Sequence, residues 1–317
     1  MHANRASWAV LAAAIVLVAL TLGCTNGVKS GHMAGGHPGE VLVKGDSMGV
    51  VEQWLSTPVE GLPQAEPMFD VVRSPRKGTA ISRAEQNEHN IIVVDINARV
   101  YTTTSVKYRR NVYADGQMII YICAPSAEML RRDIARCGVE ALLSANEKAR
   151  WTARLRRRHN AKIDTEIRKT FGCTMLVPEN MMVNKRGREF VWLSDNASPT
   201  MLNICIYTSD NRDSVMRINL KGATDSIYMA TVPGSVTTMQ GRDRHGHTVT
   251  TTRGLWQMHG DAMGGPFVAR SILTNAAANP CKSRRVVAEA FVYAPGEKKR
   301  DKTTMLEASL QSLQFGP

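Results

Sequence analysis

Short apolar segments rich in β-branched residues alternate with helix-like patterns between residues 40 and 125. The segments with strand-like composition are 41–43, 68–73 and 90–96, and those with helical patterns are 48–55 and 79–88. Two further segments, 106–113 and 118–123, predict a hairpin around the turn Ala114-Asp115-Gly116. Alternating strands and helices are typical of an α/β lobe, which we place at 40–125.

A longer helical pattern follows over residues 126–171. Ser126 can cap its first turn, and Ile163 and Ile167 repeat with helical spacing near its end. We expect a break near His159, so the pattern predicts a long helical segment in two parts.

Residues 172–317 alternate apolar and polar positions, with Gly, Asp, Asn and Pro between the segments. The predicted strands are 175–177, 189–193, 201–208, 226–231, 236–240, 249–258, 267–273 and 286–293. A helical pattern over 298–313 ends the chain. We therefore predict an α+β fold: an α/β N-terminal lobe, a long helical segment, and an antiparallel-sheet C-terminal lobe at 172–317 covered by the terminal helix.

The first 23 residues have the features of a bacterial signal peptide. Arg5 precedes an uncharged run over 8–22 that would span about 22 Å as a helix, less than the ~30 Å hydrocarbon core. The run ends Leu-Thr-Leu-Gly-Cys at 20–24, which resembles the lipobox of lipoproteins, where the cysteine becomes acylated. The sequence thus predicts a signal peptide at 1–23 and lipid attachment at Cys24. An ordinary cleaved signal peptide and an uncleaved anchor are the alternatives.

Residues 24–39 are rich in glycine and show neither a strand nor a helix pattern. Such composition predicts a flexible tether between the lipid and the first lobe. The tether contains no acidic stretch.

The charge balance is strongly basic, with 40 Lys and Arg against 28 Asp and Glu, which gives +12. An exported protein does not normally meet nucleic acid, so we exclude it as a partner and expect anionic headgroups or glycans instead. Much of the excess lies in the helical segment and is densest at Arg154, Arg156, Arg157 and Arg158. These are candidate anion-binding residues, and the alternative is a solvated outer face of the helix.

The run Gly45-Asp46-Ser47-Met48-Gly49 matches the Gly-x-Ser-x-Gly pattern of a nucleophile elbow between a strand and a helix. Its first residues also resemble the first block of the Gly-Asp-Ser-Leu esterases, which activate the serine with an Asp-x-x-His pair. None of the histidines at 89, 159, 245, 247 and 259 has Asp three residues earlier. Ser47 is therefore the candidate nucleophile of a less favoured serine hydrolase, and the alternative is an ordinary turn with Ser47 as the helix cap.

A glycine-rich hairpin over 253–267 offers a candidate ligand site. Its candidate ligand-binding residues are Arg253, Trp256, Asp261, Gly264 and Gly265. The alternative is a tight hairpin with Trp256 in the core. The pattern Asp-x-His-x-His at 243–247 looks like a hairpin tip more than a metal site, and the sequence indicates neither a metal nor a cofactor.

Several segments make the chain similar to a known family. They are 61–70, 90–94, 212–216, 228–231, 253–268, 291–295 and 306–310. In these the chain resembles a family of Bacteroidetes lipoproteins known as domain of unknown function forty-eight thirty-seven. The resemblance implies a lipid-anchored envelope protein with no established activity, and offers no catalytic residue to transfer. Surface-exposed lipoproteins of that phylum often carry an acidic stretch after the lipidated cysteine, so its absence here favours a periplasm-facing protein in the cell envelope. We expect a non-catalytic module that binds or scaffolds an envelope component.

Overall fold

The first sheet of the computed structural model is mostly parallel. Its strands are β1 (Glu40–Lys44), β2 (Asp70–Arg73), β3 (Asn90–Ile96), β4 (Ser105–Arg110) and β5 (Met118–Ala124). They are ordered β2-β1-β3-β5-β4, with β4 antiparallel to β5 and the other pairs parallel. The structure describes residues 31–275, 280–283 and 285–315.

β3 is apolar throughout its first five positions except Asn90, because both of its faces are covered. Ile92 and Val94 belong to the core on the helical side of the sheet, whereas Ile91 and Val93 belong to a smaller core on the other side. The predicted strand at 90–96 is confirmed residue for residue.

Helices cover the larger core of this sheet. They are α1 (Val50–Leu55), α2 (Ala127–Asp133) and α3 (Val139–Arg157), and α4 (Ala161–Phe171) follows. The long helical segment is interrupted at Gly138, whose φ is 72°, as well as at the expected position near His159. Asn160 caps α4 by accepting the Ile163 N–H at 3.2 Å.

The helix predicted over 79–88 is wrong, because that segment contains a single 3-10 turn at Glu85–Asn87. Glu85 turns inward to pair with the buried Lys44 and also accepts both the amide and the hydroxyl of Ser82. These side-chain bonds replace the backbone bonds that a helix would need.

The second sheet is antiparallel and forms the C-terminal lobe. Its strands are β7 (Met182–Arg186), β8 (Phe190–Ser194), β9 (Met201–Tyr207), β10 (Tyr228–Thr231), β11 (Thr237–Arg242), β12 (Thr248–His259), β13 (Gly264–Leu273) and β14 (Arg285–Tyr293). They run in the order β10-β12-β13-β14-β9-β8-β7, and β11 pairs with β12. Short strands β6 (Cys173–Thr174) and β15 (Gln314–Phe315) pair with each other.

Two helices of this lobe, α5 (Arg212–Asn219) and α6 (Arg300–Gln311), contribute to different cores. Leu306 and Leu310 of α6 join α4 residues in the core on one face, and Met216 of α5 joins Trp256 on the other. The predicted α+β architecture is confirmed, including the terminal helix. The sequence pattern missed α5, and the strand predicted at 175–177 is a connecting segment with buried side chains.

The two lobes are joined at the first turn of α6. Glu66 of the first lobe accepts the backbone N–H groups of Lys299 and Arg300, at 2.7 and 2.9 Å. Arg300 also donates to Asp70 at 2.7 Å. A carboxylate at a helix N-terminus satisfies donors that the helix itself leaves free, so the first lobe caps the last helix.

Residues 33–39, which we call the strap, pack on the first lobe, although the sequence predicted a flexible tether over 24–39. The amides of Ala34 and Gly35 donate to the carbonyls of Asp115 and Asn87, at 2.9 and 2.7 Å. A Cβ on Gly35 would lie 2.5 Å from the Asn87 side chain. The glycine at this position therefore permits close packing, which composition alone cannot distinguish from flexibility.

Candidate anion-binding site

Arg270 stands on the face of β13 that carries the apolar core. It alternates with Val268 and Ile272, both buried in that core. Its Nε is buried and has no hydrogen-bond partner among the described residues. Burial lowers the pKa of Arg270, an effect that the Asp243 carboxylate partly opposes. A half-buried cation whose Nε has no bonded partner is unfavourable, so this position is suited to an anion from outside the chain.

Three more arginines line the same cavity, which has a volume of about 580 Å³. Arg156 comes from α3, Arg168 from α4 and Arg244 from the turn between β11 and β12. All three are exposed, and the end of α6 closes the cavity beside them. We call this site, defined by Arg156, Arg168, Arg244 and Arg270, the arginine cleft.

The two aspartates of the arginine cleft are already engaged. Asp164 accepts the Met175 N–H at 2.9 Å and lies 3.8 Å from Nη2 of Arg168. Asp243 accepts bonds from Nδ1 of His247 and from the amides of His245 and His247, each at 2.9 Å. Although burial alone would raise the pKa of Asp243, these bonds from His247 and His245 hold it below its ordinary value. The cleft therefore keeps an excess of positive charge.

The chemistry of the arginine cleft fits a phosphate, sulfate or carboxylate group. A guanidinium offers five donors in a rigid plane and binds such groups through two parallel hydrogen bonds. Arg244 donates to Nε2 of His245 at 3.0 Å and to the Gln314 side chain, and neither partner is a carboxylate. No hydrogen bond or ion pair holds Arg156 within the described part of the chain. Several donors are thus available for a ligand.

The four predicted anion-binding residues at the C-terminal end of α3 do not converge. Arg154 lies over the Trp151 ring at 4.9 Å, and Arg158 pairs with Glu179 at 2.9 Å. Arg157 is exposed and does not line the cleft, so Arg156 is the member that reaches it. Successive helical residues are about 100° apart, which separates neighbours in sequence onto different sides.

The candidate residues of the hairpin are also kept apart. Trp256 is buried and packs edge-on against Phe291, with 5.4 Å between ring centroids. Arg253 points to the other face of β12 and bonds Glu307, whereas Asp261 is exposed in the turn. The site predicted from these residues is therefore replaced by a core position, an ion pair and a surface turn.

Gly264 and Gly265 have a packing role. A Cβ on Gly265 would lie 2.0 Å from the Val292 carbonyl oxygen, and one on Gly264 would lie 2.9 Å from that of Trp256. The two glycines let β13 approach its neighbours closely.

Ser47 is exposed in the turn after β1. The sequence suggested Ser47 as the cap of the following helix, but Asp46 caps it instead. The Asp46 carboxylate accepts the N–H groups of Val50, Val51 and Glu52, at 2.9, 2.9 and 3.0 Å. The helix N-terminus that would form an oxyanion site beside an elbow serine is thus filled by a carboxylate of the chain itself.

Cys24 and the predicted signal peptide at 1–23 lie outside the described residues. Across the part of the chain that the structure describes, no helix is long and apolar enough to cross a membrane. The same residues contain no cluster of three His, Cys, Asp or Glu side chains that could hold a metal ion.

Sequence reasoning missed Arg168, Arg244 and Arg270. The available signal was at Arg270, where alternation along the strand places a charge between the inward residues Val268 and Ile272. No local pattern relates Arg168 or Arg244 to it, because they come from separate elements.

Comparison with known families places the chain in an uncharacterised class. Residues 160–312 match the family described as a domain of unknown function, DUF4837, and the chain belongs to this family through that segment. Residues 40–153 match a second family with the same kind of description, DUF8532, so the resemblance drawn from 61–70 and 90–94 lies in that second range. No curated protein matches the chain.

Proposed function

We propose that this chain is a lipid-anchored protein of the cell envelope, attached through Cys24 and facing the periplasm, that binds an anionic envelope component in the arginine cleft without transforming it. The signal-like sequence at 1–23 and the cysteine that follows support the anchor. An exported, basic protein meets phosphate, sulfate and carboxylate groups on lipids and glycans.

The observation that carries the binding function is the position of Arg270. Its side chain occupies an inward site of the sheet, with an unbonded, buried Nε, and opens onto a cavity with three other arginines. A residue selected for stability alone would be apolar at that position, as Val268 and Ile272 are. The energetic cost of Arg270 is therefore consistent with a ligand-binding role.

The arrangement at Ser47 gives less support to the hydrolase alternative. Asp46 occupies the donors at the start of α1, and the Ser47 amide bonds the Gly45 carbonyl at 2.9 Å. A fluorophosphonate probe that labels the wild type but not Ser47→Ala would establish the hydrolase instead.

Inorganic pyrophosphate is the probe for binding. The measurement is the change that it causes in the melting temperature of the protein. We expect pyrophosphate to raise the melting temperature of the wild type in a salt-sensitive manner. Arg270→Met should lose this shift, and without ligand it should melt at or above the wild-type temperature, because it removes a half-buried cation that has no ion-pair partner among the described residues. A merely structural arginine would give the opposite result, a lower melting temperature.

Arg157→Met is the matched control, since it removes the same charge from an exposed position outside the cleft. It should keep the full pyrophosphate shift. If Arg270→Met and Arg157→Met lost the pyrophosphate shift equally, the probe would be responding to overall charge. That result would contradict a defined site.

The anchor is tested separately by Cys24→Ala and cell fractionation. We expect the variant to leave the membrane fraction, because the acyl chains supply the attachment. Persistent membrane attachment would contradict lipid anchoring at Cys24.

A further inference from the structure

The arginine cleft continues into a longer groove along α3. Thr152, Arg156 and Gln311 line both the cleft and a neighbouring cavity of about 580 Å³. Ser144 and Lys148 then line both that cavity and a third one, of about 750 Å³, where the two lobes meet. Because they share these lining residues, the three cavities lie side by side along α3, and we call them together the α3 groove.

α3 presents two parallel rows of side chains to the α3 groove, each with a four-residue spacing. The first row is Ser144, Lys148, Thr152 and Arg156, and the second is Ala141, Ala145, Ala149 and Ala153. Residues four apart lie above one another on a helix, so each row runs along its length. From Ser144 to Arg156 the row measures about 18 Å. The small alanines leave space for a ligand that lies along the helix.

The end of the groove away from the arginine cleft combines aromatic rings, hydroxyl groups and charges of both signs. Trp54 of α1 and Trp151 of α3 line the third cavity, and both are partly exposed. Nε1 of Trp151 is buried and has no acceptor among the described residues. Ser235 and Thr237 contribute hydroxyl groups from the opposite lobe. This end therefore offers partly exposed ring surfaces and hydroxyl groups. Its charged lining residues are Glu60, Glu140, Glu147, Asp301 and Glu307 with Lys148, Arg253 and Arg300.

We infer that the α3 groove binds an extended acidic glycan, with an acidic group in the arginine cleft and sugar rings against Trp54 and Trp151. The inference rests on the anion-binding function proposed above and names its ligand class. Sugar rings have an apolar C–H face that stacks on an indole and hydroxyls at their edges that bond to polar side chains. An acidic peptide fits less well, because the row of alanines offers no pockets for side chains along the middle of the groove.

The length of the ligand is tested by calorimetric titration with galacturonic acid, a short oligogalacturonate and inorganic pyrophosphate. We expect the oligomer to bind at least about tenfold more tightly than the monomer, because it also contacts the aromatic end. Ala149→Trp places a large side chain from an exposed position into the middle of the groove. It should weaken oligomer binding about tenfold or more and leave pyrophosphate binding unchanged.

Ala161→Trp is the matched control, because Ala161 is exposed on α4 and lines none of the three cavities. It should bind all three probes as the wild type does. Equal affinity for monomer and oligomer, or an oligomer affinity that Ala149→Trp leaves unchanged, would overturn the inference. So would an oligoglutamate of the same charge that binds as tightly as the oligogalacturonate.

The two proposals fail in distinguishable ways. If pyrophosphate binds and Arg270→Met abolishes that binding, the anion site stands even when the oligomer binds no better than the monomer, and the glycan inference alone falls. If pyrophosphate does not bind to the wild type, the proposed function itself is contradicted, and the inference falls with it.

Discussion

Arg253 on β12 donates a hydrogen bond from Nε to Oε1 of Glu307 on α6, over 2.8 Å. The other oxygen of Glu307 lies 2.9 Å from Nζ of Lys148 on α3. Burial alone would raise the pKa of Glu307, but the Arg253 hydrogen bond and the Lys148 charge hold it below its ordinary value. One buried carboxylate thus links the helix of the first lobe to the sheet and terminal helix of the second.

Replacement of Glu307 should therefore destabilise the fold. We expect Glu307→Gln to lower the free energy of unfolding by about 2 kcal/mol, because two cations lose their shared counter-charge while the shape is kept. Urea denaturation measures the change. Glu179→Gln, which breaks the exposed pair with Arg158, should have little effect. Similar stabilities for the two variants would show that the Glu307 pairs do not join the lobes.

The helix α1 is capped by Asp46 and not by the neighbouring Ser47. Asp46→Ala should lower the free energy of unfolding by about 1 kcal/mol, because three helix N–H groups lose their acceptor. Ser47→Ala, one residue away and exposed, should leave stability unchanged. Chemical denaturation of the pair of variants decides the assignment. A larger loss of stability in Ser47→Ala than in Asp46→Ala would assign the capping role to Ser47.

The elements of the fold were more predictable than its site. The strand at 90–96 has a continuous apolar pattern because it is covered on both faces, and that pattern is local. The candidate residues of the hairpin do not come together, and the reason is equally local. Arg253 and Trp256 are three residues apart on one strand, so their side chains must face opposite sides of the sheet.

The arginine cleft could not be predicted in the same way. Arg156 was a candidate for its charge, but it meets Arg270 only through the packing of α3 against the sheet of the other lobe. Such proximity depends on tertiary contacts between residues more than a hundred positions apart, and periodicity carries no information about it. The strap shows a related limit, since glycine permits close packing as readily as flexibility.

His89 should make stability depend on pH. Its ring is 4% exposed, and Nε2 lies 3.2 Å from Nδ2 of Asn146. Burial, together with the charge of Arg150, lowers the pKa of His89 from 6.5 to about 4. Between these values the unfolded chain binds a proton that the folded chain does not, so falling pH lowers the free energy of unfolding, by about 3 kcal/mol in total. Above pH ~6.5 the histidine is neutral in both states and contributes no pH dependence.

Urea unfolding from pH 7 to pH 4 measures this effect. His89→Gln cannot titrate and should flatten the curve in that window. His245→Gln, at an exposed position, should keep the wild-type slope. A His89→Gln curve as steep as that of the wild type would assign the pH dependence to other groups.

Arg150 should control whether the strap stays on the first lobe. The residue is 7% exposed, and its side chain donates to the carbonyls of Gly35, Gly36 and His37, with 3.1 Å to His37. Arg150→Ala removes these bonds, so the strap should open more often. Hydrogen–deuterium exchange of the Ala34 and Gly35 amides, which bond to the first lobe, should then become at least about tenfold faster.

Arg154→Ala is the control for the strap, because it removes an arginine from the exposed side of the same helix. It should leave both amides at the wild-type rate. The Met118 amide, which bonds the His89 carbonyl at 2.8 Å within the first lobe, reports on the fold itself and should exchange slowly in every variant. Faster exchange at Met118 in Arg150→Ala would mean that the lobe has loosened as a whole. Unchanged exchange at Ala34 and Gly35 would show that their own backbone bonds hold the strap without the arginine.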